Sequence, residues 1–441
     1  MKKILILGFL VFVATVFLPG ETLKLTIDRA IELAQENNTN FQISQQEVRQ
    51  FGHRVRQNMG FLPQISLEGM RTIDEKLMEI EIPGMVPGAE AQRVTLDFTK
   101  NYEMTLQLVQ PIYTGGKVWY SFKNAQIDYR LAKERLRNSR DELILNVKKS
   151  FYNIMVMKEL LKTHNEALAL AKRNLTNVSL SHDLGMVSKY DLLRAELEMA
   201  RIHPRITNTV KLLTIMKNNF KVMLGIPENT DVEIDGEFTY ERRSLMLSQL
   251  VEEALVRRSE ILQLDMEKDK VDNLLKMTYA QFVPDISLVG SYSFRADDFK
   301  FNSGNWEDYY TVSMGISLPI FTGLKRSAQV GEMRVLRKIM TLRQKNLSDG
   351  TRTQVQNLVL DIQEQYENIL LEEKNIETAN EGVRVADLNY GEGLITILEV
   401  NASYNELTRA KVGYLEAVYK YNISLSELEK ISGVRINGGE S

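Results

Sequence analysis

The chain has 441 residues, 44% hydrophobic and 26% charged, which is enough apolar sequence for a large core and too much for a disordered tail. Its 55 basic and 58 acidic residues leave a net charge of -3, so composition gives no reason to expect a nucleic-acid partner. There is no cysteine, which excludes disulfides, thiolate metal sites and a lipid-bearing N-terminal cysteine.

Lys2 and Lys3 precede an apolar run from Ile4 to Leu18, closed by Pro19 and Gly20. A basic start, a short apolar stretch and a polar continuation predict a secretory signal peptide over residues 1–20. Its removal takes two lysines and moves the net charge from -3 to -5. No later segment is long and apolar enough to read as a spanning helix, so any membrane crossing has to use strands.

The remainder is a two-fold repeat, with halves at 21–235 and 236–441. Residues 110–117 read QPIYTGGK and residues 318–325 read LPIFTGLK, an offset of 208. The same offset carries Gly185-Met186 onto Gly393-Leu394, Asp191 onto Glu399 and Gly225-Ile226 onto Gly433-Val434. It also carries the seven-spaced Val147, Ile154, Leu161, Leu168 and Leu175 onto Val355, Ile362, Ile369, Ile376 and Val383. An apolar period of seven held this long predicts helices packed as coiled coils. Upstream, FLPQISL (61–67) matches FVPDISL (282–288) at an offset of 221, so half one holds 13 extra residues between these anchors. They fall in Asp74–Asp97, with Pro83-Gly84 and Pro87-Gly88, and predict a surface loop.

Each half thus reads helix, strand, loop, strand, long helix, turn, shorter helix. Helical pattern covers 25–60, 116–184 and 188–224, then 247–281, 324–391 and 396–432. A bend is expected at Pro204. Four segments alternate at period two: one near Gln64–Arg71, one through Tyr102, Met104, Leu106 and Leu108, one from Ile286 to Phe294, and one from Tyr310 to Leu318. Aromatics gather at their ends: Phe98, Tyr113, Trp119, Tyr120, Phe282, Trp306, Tyr309 and Phe321. Strands of about ten residues with apolar-out, polar-in alternation suit a transmembrane barrel, and equally a half-buried soluble sheet. In lipid a sheet has to close on itself, and about eight strands is the working minimum, so four strands call for several copies sharing one barrel.

This ordered, duplicated pattern resembles the TolC-type outer-membrane efflux protein family over nearly the whole mature chain. The resemblance rests on the strand–proline–strand segments, the PIxxG segments and the Gly-Met/Leu-x-x-x-x-Asp/Glu turns. It implies an α+β membrane protein in which a homotrimer forms a 12-stranded β-barrel in outer-membrane lipid, continued by a periplasmic α-barrel of coiled-coil helices. The implied function is a passive exit duct of a tripartite efflux or type I secretion system, with a periplasmic adaptor protein and an inner-membrane transporter as partners. The turns at Leu184–Lys189 and Glu392–Ile397 then form the periplasmic entrance. Gly185 and Gly393 are expected to be left-handed helix stops, and Met186, Val187, Leu394 and Ile395 to touch the adaptor. Tyr390 and Asp191 match the tyrosine and aspartate of the family's gate; its arginine is replaced here by Ile395. Glu399 matches the first of two acidic constriction positions, and Ala402 replaces the second. Asp191 and Glu399 also suit the positive N-terminal ends of their helices, and the two roles are compatible.

No enzymatic activity, cofactor, metal or nucleic acid is expected. Gly115-Gly116-Lys117 lacks the earlier glycine of a phosphate loop (Pro111 stands there) and the following Ser or Thr (Val118). His53, His164, His182 and His203 form no metal-binding spacing, and no nucleophile elbow occurs. The competing reading is a soluble periplasmic coiled-coil scaffold or adaptor, which leaves four amphipathic strands without a purpose.

Overall fold

A computed structural model describes residues 23–72, 77–82, 92–97, 102–300, 304 and 306–436. The expected signal peptide and Phe98 lie outside the described residues. In chain order the elements are β1 (Leu23–Leu25), α1 (Ile27–Asn37), α2 (Thr39–Gln57), β2 (Gln64–Arg71), β3 (Leu77–Ile82), β4 (Gln92–Asp97), β5 (Tyr102–Tyr113), α3 (Lys117–Asp183), α4 (Lys189–Leu224) and β6 (Val232–Ile234). Half two continues with α5 (Leu247–Arg257), α6 (Ser259–Tyr279), β7 (Asp285–Ala296), β8 (Glu307–Ser317), α7 (Lys325–Gly391) and α8 (Ile397–Ser432). Both long helices have 67 residues and both shorter ones 36, as the repeat requires. At 1.5 Å per residue each long helix extends about 100 Å. No helix among the described residues is long and apolar enough to cross a membrane.

Three features differ from the sequence reading. The first helix of each half is broken, at Asn38 and at Arg258, where the backbone turns extended. Asn38 accepts from the Phe41 amide at 3.1 Å and donates to the Met223 carbonyl at 3.0 Å, and these bonds replace the lost helical ones. Arg258 holds the second break by donating to Thr351 and Gln354, both at 3.0 Å. The expected loop within Asp74–Asp97 contains an antiparallel hairpin, β3 with β4. A short parallel ribbon, β1 with β6, was not foreseen. Pro204 lies inside α4, which stays one helix on both sides of it.

The chain divides into two compact units, and neither corresponds to a repeat half: each takes chain from both. The first comprises residues 1–46, 134–262 and 346–441. Its two main cores are repeat-equivalent. One packs Val147, Phe151, Ile154, Phe220 and Leu224 against Leu33 and the β1–β6 ribbon; the other packs Val355, Val359, Ile362, Ile369 and Leu428 against Ala254. Burying each large apolar side chain stabilises by about 1.5–3 kcal/mol. Further along the heptad Leu161, Leu168, Leu175, Ile376 and Val383 are only half-buried within one chain. Lys148 reaches Glu429 at 2.8 Å and Lys411 reaches Glu166 at 2.7 Å, so ion pairs also join the two halves.

The second unit comprises residues 47–133 and 263–345 and contains an antiparallel sheet of order β2-β5-β7-β8. Among its helices Asn273 donates to Asn124 at 3.0 Å in a buried pair, and Lys270 meets Asp128 at 2.6 Å. Such satisfied polar pairs tie helices into one register more than they add stability.

Candidate functional site

The sheet sorts its side chains by register. Across the four strands Leu67 faces Leu106, Leu106 faces Tyr292 and Tyr292 faces Tyr310. The next row on that face runs Ile65, Leu108, Gly290 and Val312. The opposite face carries Glu68, Thr105, Ser293 and, beside them, Glu103 with Arg295. Its polar groups bond one another: Thr105 and Ser293 lie 2.8 Å apart, and Arg295 meets Glu103 at 3.0 Å. The apolar face is uncovered in one chain, with Leu67, Val312, Met314 and Ile316 all more than 60% exposed. Among the described residues neither edge strand, β2 or β8, has a partner on its outer side, and an open sheet with an apolar face laid bare is unstable in water and complete only when closed and embedded. Of the expected aromatic belt, Tyr113, Trp119, Phe282, Tyr309 and Phe321 are exposed at or near strand ends, whereas Tyr120 and Trp306 are half-buried. A period-two sequence is legible in this way because one register places every apolar residue on one side.

The second site is the pair of helix turns. Gly185 and Gly393 adopt φ of +75° and +74°, the left-handed conformation expected of them. Around them the Met186 amide donates to the Ser181 carbonyl and the Leu394 amide to the Asn389 carbonyl, both at 2.8 Å. These six-to-one bonds close the ends of α3 and α7, and glycine is needed at the left-handed position because a Cβ there crowds the backbone. Two residues later each following helix opens with a capping box. Ser188 Oγ accepts from the Asp191 amide at 3.2 Å while Asp191 Oδ2 accepts from the Ser188 amide at 3.2 Å. In half two, Glu399 Oε2 accepts from the Thr396 amide at 2.7 Å and from its hydroxyl at 2.9 Å. Those two donors hold the Glu399 carboxyl below the usual carboxylate range.

One apolar cluster joins the two turns. Val178, Leu192, Ala195, Ala386, Ile397 and Val400 are buried together, with Val187, Tyr390, Ile395 and Tyr404 packed around them. The structure therefore brings Asp191, Tyr390 and Glu399 to one end of the helical unit. Burial, and then the nearby Asp191 charge, raise the Tyr390 hydroxyl above the ordinary tyrosine value. Among the described residues no hydrogen bond links Tyr390 to Asp191; the Asp191 carboxylate is engaged by Ser188. Of the expected tip residues, Met186 and Leu394 are about 70% exposed or more, whereas Val187 and Ile395 turn partly into the cluster. Sequence reading missed Tyr404, which is partly buried against the same cluster and donates to Asp387 on α7. Its place on the inner face of α8, seven residues after Ile397, was the available signal.

The model of the family described as outer membrane efflux protein matches residues 30–214 and again 250–434. Among solved structures, the chain is similar to the outer membrane protein VceC of Vibrio cholerae, with 15% identity, a TM-score of 0.77 and coverage of 93% of this chain and 97% of that one. It is similar to the CmeC outer membrane channel of Campylobacter jejuni at 15% identity and TM-score 0.78, over 94% and 87% of the two chains. It is also similar to the MtrE outer membrane channel of Neisseria gonorrhoeae, described in its open state, at 16% identity and TM-score 0.74, over 93% and 89%. The protein belongs to the outer membrane efflux protein family: it is an exit duct of the cell outer membrane, with its helical part in the periplasm.

Proposed function

We propose that three copies close a single twelve-stranded barrel and that the helices of the same three copies continue it as a periplasmic tunnel. The observation that carries this reading is the sheet of four strands, apolar on one uncovered face and, among the described residues, unpaired at both edges. A second support lies on α7. Val335, Ile339, Leu342, Leu360, Leu371 and Val385 are all exposed, and at 100° per residue they fall within a stripe about 80° wide. A helix stripe of that kind requires a neighbour, and another copy supplies one.

In this reading residues 1–20 direct export and are removed, and the halves 21–235 and 236–441 contribute equivalent parts. The cargo crosses without chemical change, in a tripartite efflux or type I secretion assembly driven by an inner-membrane transporter. A periplasmic adaptor protein meets the turns, chiefly through exposed Met186 and Leu394. Tyr390 and Asp191 latch the entrance, and three copies of Glu399 form an acidic ring that favours cations. The test is the native mass of protein extracted from membranes, by light scattering with and without detergent. A detergent-dependent particle of three chains is expected. A monomer soluble without detergent overturns the duct and favours a periplasmic scaffold.

A further inference from the structure

The repeat offsets found in the sequence also govern the backbone register. Adding 221 to β2 positions and 208 to β5 positions turns Gln64–Val109 into Asp285–Ser317, Leu67–Leu106 into Leu288–Met314 and Arg71–Tyr102 into Tyr292–Tyr310. Each of these is a pair found between β7 and β8. The two hairpins therefore pair in the same register, residue for residue. The sheet also holds one junction between halves, β5 with β7. Its repeat counterpart joins β8 to β2, which are the two free edges of the sheet. Since they are separated by β5 and β7 in one chain, the counterpart joins two copies.

We infer that β8 of one copy pairs with β2 of the next in the register transferred from β5–β7: Ser317 opposite Glu68, Leu318 opposite Leu67 and Phe321 opposite Ile65. The inference rests on the shared-barrel reading and adds to it the residue-level seam. The template pairs are Val109–Val289, Gln110–Leu288 and Tyr113–Ile286, with a bulge between Pro111 and Tyr113. The bulge then recurs at Ile320, the counterpart of Ile112.

Four observations support this seam. β5 continues to Tyr113, whereas β8 stops at Ser317, four residues before the counterpart Phe321; the last part of β5 is held by β7, and that of β8 lacks its partner. The residues awaiting a partner are exposed: Ile320 at 84%, Phe321 at 79% and Ile65 at 66%. The transferred register also sets Leu318 against Leu67, which continues the apolar rows of the sheet, while a slip of one residue opposes it to Ser66 or Glu68 and breaks them. Finally, Lys117 meets Asp285 at 2.6 Å beside the β5–β7 junction. The counterparts at the seam are Lys325 and Gln64, so half of an ion pair is already in place.

The absence of cysteine makes the test direct. Opposed residues of neighbouring strands lie within disulfide reach, and residues displaced by two lie at or beyond its limit. The full chain carrying S317C with E68C is purified in detergent and oxidised mildly, and S317C with S66C serves as the shifted control. The expected result is a shift of the non-reduced band from one-chain to three-chain mass for the first pair, with the control lagging. A control that links faster, or no link within a particle of three chains by light scattering, overturns the seam and leaves the shared barrel standing. A one-chain particle overturns the shared barrel itself. As a second measurement, Q64D is expected to raise the temperature at which the trimer dissociates in SDS, and adding K325Q to remove that gain. Equal temperatures for Q64D and Q64D/K325Q count against the register.

Discussion

Asp191 has two roles that one set of substitutions can separate. It closes the capping box of α4 with Ser188, and it places a charge beside Tyr390. Replacing either Ser188 or Asp191 by alanine removes the reciprocal capping bonds, which costs about 1 kcal/mol. Because about 1.4 kcal/mol is a factor of ten, that alone raises fraying of the first turn of α4 by about fivefold. Asp191→Ala removes more, namely a negative charge at a helix N-terminus worth roughly 0.3–1 kcal/mol and the proposed latch to Tyr390. Tyr390→Phe does the reverse: it keeps the capping box and the apolar packing and deletes only the hydroxyl. Conductance of single channels in planar bilayers gives the readout, with amide hydrogen exchange at Asp191 and Leu192 as the measure of fraying. The expected order of open probability is Asp191→Ala above Ser188→Ala, with Tyr390→Phe raised while exchange in α4 is unchanged and the double variant Tyr390→Phe, Asp191→Ala the most open. If Ser188→Ala opens the channel as much as Asp191→Ala and Tyr390→Phe behaves as wild type, the entrance responds to helix fraying and the latch is refuted.

Further outcomes can be stated briefly. Glu399→Gln keeps an acceptor for Thr396 and removes the charge, so the reversal potential in a salt gradient is expected to move away from cation selectivity; an unmoved potential removes the acidic ring. The native Glu399 value is depressed, so its stabilisation of the first turn of α8 is complete above the ordinary value of 4.5 and is lost as pH falls through the lower native value. Exchange of the Thr396–Glu399 amides should show that loss in acid, and Thr396→Ala, which removes the hydroxyl donor and keeps the amide, should reduce it. Gly225→Ala is expected to lower the melting temperature more than Gly393→Ala. Both incur the left-handed cost of roughly 1–2 kcal/mol, but only at Gly225 would the new Cβ lie 2.6 Å from Asn37 Cβ. Phe151→Ala empties a side chain that is 2% exposed and packs on Phe220, so a loss of about 3–5 kcal/mol is expected in thermal unfolding.

What could be read in advance followed from periodicity. The four strands of the sheet and the two long helices announce themselves through periods of two and seven, and the turn glycines through their place between apolar runs. The breaks at Asn38 and Arg258 were hidden because the apolar pattern continues across them; they depend on bonds to Met223, Thr351 and Gln354, far away in sequence. The β3–β4 hairpin was legible in part, since LMEIEI alternates cleanly, but the prolines and glycines after it drew the reading towards a plain loop. At the entrance, Ser188-x-x-Asp191 and Thr396-x-x-Glu399 are readable as helix starts. The partial burial of Val187 and Ile395 was not, because it requires knowing that the two hairpins share one cluster.

The small β1–β6 ribbon bears on the order of assembly. Leu23 pairs with Val232, 209 positions later, in a parallel ladder. A chain delivered to the periplasm N-terminus first presents Leu23–Leu25 long before its partner arrives. Closing so long a loop adds little to the final thermodynamic cost, since each doubling of length adds only about 0.6 kcal/mol, but such distant contacts form late. The first strand to arrive is therefore among the last to find its place, and until then its backbone is open to misplaced pairings.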